Sequence, residues 1–178
     1  MKISADKNLE GNSRKWKNWM SELTLKTCKE CVAKHGTVFP YDVIESLYIP
    51  LHINGKCRIV PMRTKKVGTA TLEGPYGADY RLTCEGRLPE YYISQEEAKD
   101  LGWIPKKGNL DDVAPENMVY GEYHNRRGEL PVAKERGWYE ADINYYGGYR
   151  GYHRILFSND GLILVTYDHY QTFYEITG

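Results

Sequence analysis

Hydrophobic and polar residues alternate with a period of two from about Trp138 to the end of the chain. Such alternation predicts β-strands that bury one face, because successive side chains of a strand point to opposite sides of its sheet. The sequence Asp160-Gly161 is a turn signal typical of a hairpin between two of these strands. The pattern predicts strands over residues 138–145, 153–158, 162–167 and 170–176.

The preceding part of the chain carries the signals of helices. Ser94 followed by Glu97 is a capping box, and Gly102 is placed to end the helix that begins there. A short helical turn is predicted over residues 108–115, and apolar residues at helical spacing predict a longer helix over residues 13–26. Because helices come first and antiparallel strands follow, the sequence predicts an α+β fold with short helices packed on an antiparallel sheet.

Charge is unevenly distributed along the 178 residues, although Lys and Arg equal Asp and Glu in number, at 24 each. Residues 1–85 carry a net charge of about +5 and the remainder about −5, which indicates two units with different roles. With 41% hydrophobic residues the chain can form a buried core. It contains no apolar run of membrane-spanning length, and its first residues lack the apolar segment of a signal peptide, so we expect no membrane partner.

Three of the four cysteines, together with one histidine, fall in two short clusters that suit a metal ion. Cys28 and Cys31 form a CxxC motif, and His52 and Cys57 follow about 20 residues later. Zinc favours four tetrahedral nitrogen and sulfur ligands, and two such clusters can supply them. The spacing favours a structural Zn²⁺ site at these four residues, with a disulfide or plain buried thiols as open alternatives.

The same region resembles the zinc-knuckle region of Mu-type phage minor head proteins over residues 14–63. The matching segments are WKNW, CKECVAKHG and PLHINGKCRI. We therefore expect a zinc-knuckle-like N-terminal domain over residues 1–70, a junction over 71–87 and a second domain over 88–178. The resemblance leaves two roles open for the first domain, a folding platform or an attachment element for phage or toxin-delivery components.

Charged residues that suit phosphodiester chemistry cluster in the predicted strands and their connections. Glu140 and Asp142 share one face of a strand, while Arg150, Arg154 and His169 follow in segments that a meander of strands can bring to that face. A base, an acid and fixed positive charge for the phosphate are the groups that RNA cleavage needs. Judged from the residues alone, a surface ion-pair network remains the alternative.

Residues 88–173 resemble the barnase-like family of microbial ribonucleases. The segments that carry the resemblance keep their order and nearly their spacing: LPEYYISQEEAKDLGW, KGNLDDVAPE, NRRGELP, WYEADINY, GGYRGYHRILFSNDGLI and TYDHYQTF. The resemblance implies the microbial ribonuclease fold, which is α+β, and an enzyme that cleaves RNA.

The resemblance also implies a role for each charged residue of the cluster. Glu140 matches the general base that takes the proton from the ribose 2′-OH, and His169 matches the general acid that protonates the departing 5′-oxygen. Arg150 and Arg154 match the phosphate-binding arginines, and Asp142 matches the acid that holds them. The product would be a 2′,3′-cyclic phosphate, and no metal would take part, so any zinc would be structural.

Further matches concern the binding of substrate. Asn125 and Arg126 fall in the loop that reads guanine in the family, and Tyr170 is a candidate to stack on a base. Gln95 stands where the family has a lysine near the phosphate. Lys99, one turn further along the helix, is the candidate to replace that charge.

Two other positions change or support the picture. Arg127 stands where the family has a glutamate that accepts hydrogen bonds from the base. Because an arginine cannot accept such bonds, a preference for guanine is not implied. Arg136 and Asp160 match an ion pair of the family and are predicted to be structural.

Together these observations predict a metal-independent endoribonuclease that acts on single-stranded RNA, of the toxin or effector type. Because such an enzyme endangers the RNA of its own cell, a barstar-like inhibitor is the expected partner. Secretion, or delivery into the cytoplasm of a target cell, is the expected route. The alternatives are a phage-head-derived structural or interaction protein with a degraded nuclease domain, and an RNA-binding module without turnover.

Overall fold

A computed structural model describes residues 10–42 and 55–178, and its main feature is one nine-stranded sheet. The strands are β1 (Glu10–Ser21), β2 (Val38–Pro40), β3 (Cys57–Lys66), β4 (Tyr92–Ser94), β5 (Met118–Tyr123), β6 (Trp138–Asp142), β7 (Arg154–Ser158), β8 (Ile163–Thr166) and β9 (Tyr174–Thr177). Their order across the sheet is β2-β1-β3-β9-β8-β7-β6-β5-β4. The α-helices in the described ranges are α1 (Lys29–Lys34), α2 (Ala78–Glu85), α3 (Gln95–Asp100) and α4 (Leu110–Val113). The fold class is α+β.

The second half of the chain forms the elements that its pattern predicts. Strands β6, β7, β8 and β9 are successive antiparallel neighbours, and Asp160 and Gly161 lie in the turn between β7 and β8. Helix α3 begins after Ser94, whose hydroxyl and backbone N–H both bond Glu97 in the predicted capping box. The sheet is mixed, however, because β3 runs parallel to β9 and β4 runs parallel to β5.

The predicted helix over residues 13–26 is wrong, since this segment belongs largely to β1. Strand β1 pairs antiparallel with β3, and a bulge shifts the register between Asn12 and Lys17. From Asn12 to Lys17 the strand β1 advances five residues while β3 advances two, so apolar residues there need not recur with a period of two. Trp16 and Trp19, three residues apart, therefore imitate helical spacing. Cys28 caps the start of α1, so the CxxC motif begins a helix.

The two faces of the sheet pack against different parts of the chain. On one face, Leu82 of α2 joins a core cluster with Ile155 and Val165 of β7 and β8. Another cluster contains Leu156 and Phe173, and it also takes in residues of the N-terminal strands, Val38 of β2 and Met62 of β3. The predicted division into residues 1–70, 71–87 and 88–178 stays a prediction, while the sheet itself runs across it through the β3–β9 pair. No helix in the described part of the chain is long and apolar enough to cross a membrane.

Candidate active site

A row of cross-strand neighbours builds the base of the site. Asp142 at the end of β6 lies opposite Arg154 of β7, which in turn lies opposite Thr166 of β8. Glu140, two residues before Asp142, shares its face of the sheet because side chains alternate along a strand. The short strands therefore set a carboxylate, a guanidinium and the start of the β8–β9 connection side by side, as the alternation in the sequence indicates.

Asp142 is the buried anchor of the two arginines, with only 1% of its surface exposed. It accepts hydrogen bonds from Nε and Nη2 of Arg150 at 2.8 and 2.7 Å, and its Oδ1 lies 3.0 Å from Nε of Arg154. Burial alone would lower the pKa of Arg150, but its bonds to Asp142 and the charge of Glu140 outweigh burial and raise that pKa. The site therefore holds fixed positive charge.

Glu140 lies at the edge of this ion pair, with 13% of its side chain exposed. Its Oε1 is 3.6 Å from Nη2 of Arg150, and its Oε2 accepts a hydrogen bond from the hydroxyl of Tyr170. Burial and the charge of Glu140 raise the pKa of Tyr170, so this hydroxyl stays protonated and keeps donating. The Tyr170 ring also stacks on Tyr123, with the ring centroids 5.3 Å apart, so a neighbouring side chain already covers one of its faces.

His169 lies in a tight turn between β8 and β9 and is exposed to solvent. Both His169 and Tyr170 have left-handed backbones, with φ of 57° and 67°, and their ring centroids are 4.9 Å apart. Consecutive non-glycine residues in this region are uncommon and cost about 1–2 kcal/mol each. A strained turn therefore presents the His169 imidazole to solvent. The imidazole lies beside Tyr170, whose hydroxyl donates to the Glu140 carboxylate.

Asp168 holds the turn in place, and its role was missed in the sequence. Its carboxylate accepts hydrogen bonds from the hydroxyl of Thr166 and from the backbone and hydroxyl of Thr172 at 2.6–3.0 Å. Burial would raise the pKa of Asp168, but the bonds from Thr172 and Thr166 outweigh burial and lower it. An aspartate followed by threonine four residues later is a turn-forming pattern that offers a usable signal.

A groove of about 330 Å³ opens beside the turn. It is lined by Tyr123, His124, Arg126, Arg127, Glu129, His169 and Tyr170. The predicted loop residues therefore take different places: Arg126 is exposed along the groove, whereas the Asn125 amide closes the loop. That amide donates to the Leu130 carbonyl at 2.9 Å and accepts from the Leu130 N–H at 3.0 Å.

Glu129 is a buried carboxylate that the sequence did not single out. Its Oε1 accepts hydrogen bonds from the Tyr123 hydroxyl and, at 3.2 Å, from Nη2 of Arg127. Burial and the bond to Glu129 raise the pKa of Tyr123. Arg127, at the position where the resemblance places a glutamate, is thus paired with a carboxylate two residues later.

Helix α3 approaches the site through Gln95. A Cβ atom added at Gly121 of β5 would lie 2.9 Å from Nε2 of Gln95, and Gly121 lies directly opposite Glu140 in the sheet. A larger residue at this position would force the Gln95 side chain to move. Lys99, the candidate replacement charge, is exposed on α3, whereas the α3 residue that contacts the cross-strand neighbour of Glu140 is the neutral Gln95.

The predicted pair of Arg136 and Asp160 joins the start of β6 to the β7–β8 turn. Nη2 of Arg136 lies 2.7 Å from Oδ2 of Asp160, and the Ser158 hydroxyl bonds the same carboxylate. These two partners lower the pKa of Asp160 to about 2. The pair lies at the opposite end of β6 and β7 from Asp142 and Arg154, and it braces the scaffold.

The N-terminal cysteines come together, but the described residues do not support a metal site. Sγ of Cys57 lies 3.1 Å from Sγ of Cys31, whose backbone N–H donates to Sγ of Cys28 at 3.3 Å. Burial and the contacts with Cys57 and Cys28 raise the pKa of Cys31 to about 12. Within residues 10–42 and 55–178 no group of three or more His, Cys, Asp or Glu residues could hold a metal ion. The fourth predicted ligand, His52, lies outside the described residues.

The comparison with phage head proteins finds no support either. The segment WKNW, which carries part of that resemblance and was predicted to be helical, lies within strand β1. The basis of that resemblance is therefore a strand with a bulge, and its cysteine and histidine motif remains without a described metal cluster.

Comparison with known proteins gives matches that centre on the second half of the chain. The family model described as ribonuclease matches residues 77–177. A ribonuclease from Bacillus pumilus is 38% identical over 146 residues, which are 75% of this chain and 90% of that protein. Ribonucleases from Heyndrickxia coagulans and Bacillus intermedius are each 48% identical over 100 residues, 56% of this chain and 91% and 61% of those proteins.

Proposed function

Because this chain belongs to the ribonuclease family and is an endoribonuclease, we propose that it cleaves single-stranded RNA by attack of a ribose 2′-OH on the adjacent phosphorus. The main supporting observation is the Glu140 carboxylate, mostly buried, within 3.6 Å of Arg150 and bonded by Tyr170. The contacts with Arg150 and Tyr170 fix the orientation of this carboxylate, as a general base requires. Cleavage by a 2′-OH restricts the substrate to RNA.

The proposed reaction uses one residue to remove a proton and another to supply one. Glu140 takes the proton of the 2′-OH as that oxygen bonds to phosphorus. The bond from phosphorus to the 5′-oxygen breaks, and His169 gives that oxygen a proton. The products are a 2′,3′-cyclic phosphate and a free 5′-OH; in a slower step the two residues exchange roles and water opens the ring.

The two arginines stabilise the charge that develops on the phosphate oxygens. Arg150 keeps its charge because its pKa is raised, and Arg154 is fixed beside Asp142 at 3.0 Å. Asp142 is buried and paired, so its part is to hold the arginines. The neutral Gln95 adds no charge near Glu140, so we propose that substrate affinity rests on these arginines and on Arg126 along the groove.

The proposed chemistry is tested with a short RNA and the variants Glu140→Gln and His169→Ala. We expect wild type to leave a 2′,3′-cyclic phosphate, and we expect each variant to lose about 10²–10⁴-fold in kcat. Glu122→Gln is the matched control, because Glu122 is an exposed carboxylate on the neighbouring strand β5. Cleavage should continue in the presence of a chelator.

Three results would contradict the mechanism. Cleavage of an oligonucleotide with a single 2′-deoxyribose at the scissile position would rule out the 2′-OH as the nucleophile. Binding of RNA by wild type without any cleavage would instead favour the RNA-binding module that the sequence left open, and an intact RNA without binding would favour a degraded nuclease domain.

A role as a toxin or effector, a barstar-like inhibitor and secretion or delivery to a target cell are further proposals. They are supported only by the resemblance of residues 88–173 to barnase-like ribonucleases and by the danger that such an enzyme poses to cellular RNA. An acidic inhibitor would suit a groove that exposes Arg126 beside paired Arg127. Structural zinc at Cys28, Cys31, His52 and Cys57 stays a prediction, which metal analysis of the purified protein checks.

A further inference from the structure

A tight turn in the N-terminal region lies against the catalytic turn, residues 167–172 between β8 and β9, which presents His169. This N-terminal turn, residues 35–38, connects α1 to β2. Gly36 has a left-handed backbone with φ of 79°, and a Cβ atom added there would lie 2.2 Å from the carbonyl oxygen of Gln171. The two backbones are therefore in direct contact, only two residues after His169.

The same turn also bonds the loop that lines the groove. The backbone N–H of Val38 donates to the carbonyl of Glu129 at 2.7 Å. Val38 is buried in one cluster with Leu130, and Tyr123 and Tyr170 pack against that cluster. One short segment of the N-terminal region thus contacts the loop that forms the groove and the turn that presents His169.

The catalytic turn needs support from outside. His169 and Tyr170 both have positive φ, a conformation that persists only where the surroundings enforce it. Asp168 supports the turn from within, through its bonds to Thr166 and Thr172. Gly36 restricts it from the other side, because the Gln171 carbonyl cannot move toward the N-terminal turn.

The N-terminal turn is itself fixed to the sheet. The N–H of Gly36 donates to the carbonyl of Trp19 at 2.8 Å, and the N–H of Trp19 donates to the carbonyl of Thr37 at 3.0 Å. The backbone N–H of Ser21 donates to Nδ1 of His35 at 3.1 Å. Trp19 is 2% exposed, so these bonds lead into a buried part of β1. A turn with such anchors can act as a rigid stop.

We propose that the N-terminal turn positions the general acid and the groove loop, with Gly36 as the positioning residue. The proposal rests on the function proposed for His169. It assigns a part in the reaction to a segment outside residues 77–177, the range that matches the ribonuclease family. The effect is exerted through the backbone of Gln171, so Gly36 does not contact the substrate.

The test compares Gly36→Ala with Gly86→Ala in the full chain. Both glycines have left-handed backbones, with φ of 79° and 69°, so both alanines carry a similar backbone penalty. They differ in surroundings, because a Cβ at Gly86, the residue that ends α2, meets no atom within 4 Å. Loss of stability alone would be shared by the two variants, whereas displacement of His169 would be specific to Gly36→Ala.

We expect Gly36→Ala to lower kcat on a short RNA by about 10- to 100-fold, because a displacement of about 1 Å at a reacting group can cost that much. KM should change by less than about threefold, because the three atoms nearest to the added Cβ all belong to Gln171, and Arg150 and Arg154 lie on other elements. The limb of the pH profile that reports His169 should also shift. Gly86→Ala should keep wild-type kcat and pH profile at a temperature well below its Tm.

The positioning role would be overturned by wild-type kcat in Gly36→Ala, or by equal losses in the two variants. If Gly36→Ala does not fold, His35→Ala removes an anchor of the turn without adding atoms, and unchanged kcat and pH profile there would also overturn it. If wild type itself does not cleave RNA, the proposed function fails first. The His169 ring resonances in NMR spectra then decide: a shift confined to Gly36→Ala supports the contact, and no shift refutes it.

Discussion

The N-terminal end of the chain and its catalytic end bury different groups in the sheet that they share. At β6–β8, Asp142 and Arg154 are buried as an ion pair, and Arg150 pairs with the same Asp142 carboxylate. At β1–β3, the buried side chains include Trp19 and Met62. A buried ion pair contributes little net stability but is costly to break, whereas apolar burial stabilises in proportion to the area removed from water. The catalytic end therefore adds an ion pair that orients charge to its apolar core, whereas Trp19 and Met62 at the N-terminal end contribute by packing.

The largest effect is expected where the catalytic end loses its central charge. Asp142→Ala leaves two arginines near each other without their shared carboxylate, and such losses cost about 3–5 kcal/mol of unfolding free energy. Urea unfolding followed by tryptophan fluorescence measures the change. Asp112→Ala, an exposed residue of α4, should cost about 0.5 kcal/mol or less. Equal stabilities of the two variants would show that the buried charge of Asp142 is not needed for stability.

A somewhat smaller effect is expected at the N-terminal end. Met62 is fully buried in the cluster that also contains Leu156 and Leu164 of the catalytic half. Met62→Ala should cost about 2–5 kcal/mol through the cavity it leaves. Because the cluster joins both halves, unfolding should stay a single transition at lower urea, with fluorescence and RNA cleavage lost together. Two separate transitions would show that the two ends are independent units.

The smallest effect on stability is expected at the partly exposed ion pair of Arg136 and Asp160. The folded pKa of Asp160 is lowered from 3.8 to about 2, so its pairing stabilises the protein above pH 3.8 and is lost as pH falls toward 2. Asp160→Asn should therefore have a lower Tm than wild type at pH 6, and the difference should disappear near pH 2. A Tm difference that does not vary with pH would exclude the Arg136 pair as its cause.

More of the structure can be predicted from the sequence in the catalytic half than in the N-terminal strands. The strands of the catalytic half follow from alternation, and α3 follows from its capping box, because both signals are local. The cluster of Glu140, Asp142, Arg150 and Arg154 follows from motifs in a fixed order. The bulged strand β1 was misread because its bulge imitates helical spacing.

Other features depend on contacts between distant segments, which a single sequence does not reveal. The carboxylate of Glu129 gains its place from Tyr123 and Arg127, and nothing in its neighbours along the chain indicates burial. The contact of Gly36 with Gln171 joins residues far apart in the chain. Asp168 is intermediate, since the spacing to Thr172 is a local signal for a turn but not for a catalytic one.

The parallel pairing of β3 with β9 has a consequence for how the protein behaves in concentrated solution. Without β3, the last strand of the catalytic half would expose a row of free N–H and carbonyl groups, which is a template for joining strands of other molecules. With β3 in place, the outer strands of the sheet within residues 10–42 and 55–178 are β2 and β4, each only three residues long, and β2 ends in Pro40. Short edges and proline hinder edge-to-edge association. We therefore expect removal of the N-terminal strands to increase the tendency of the enzyme to aggregate.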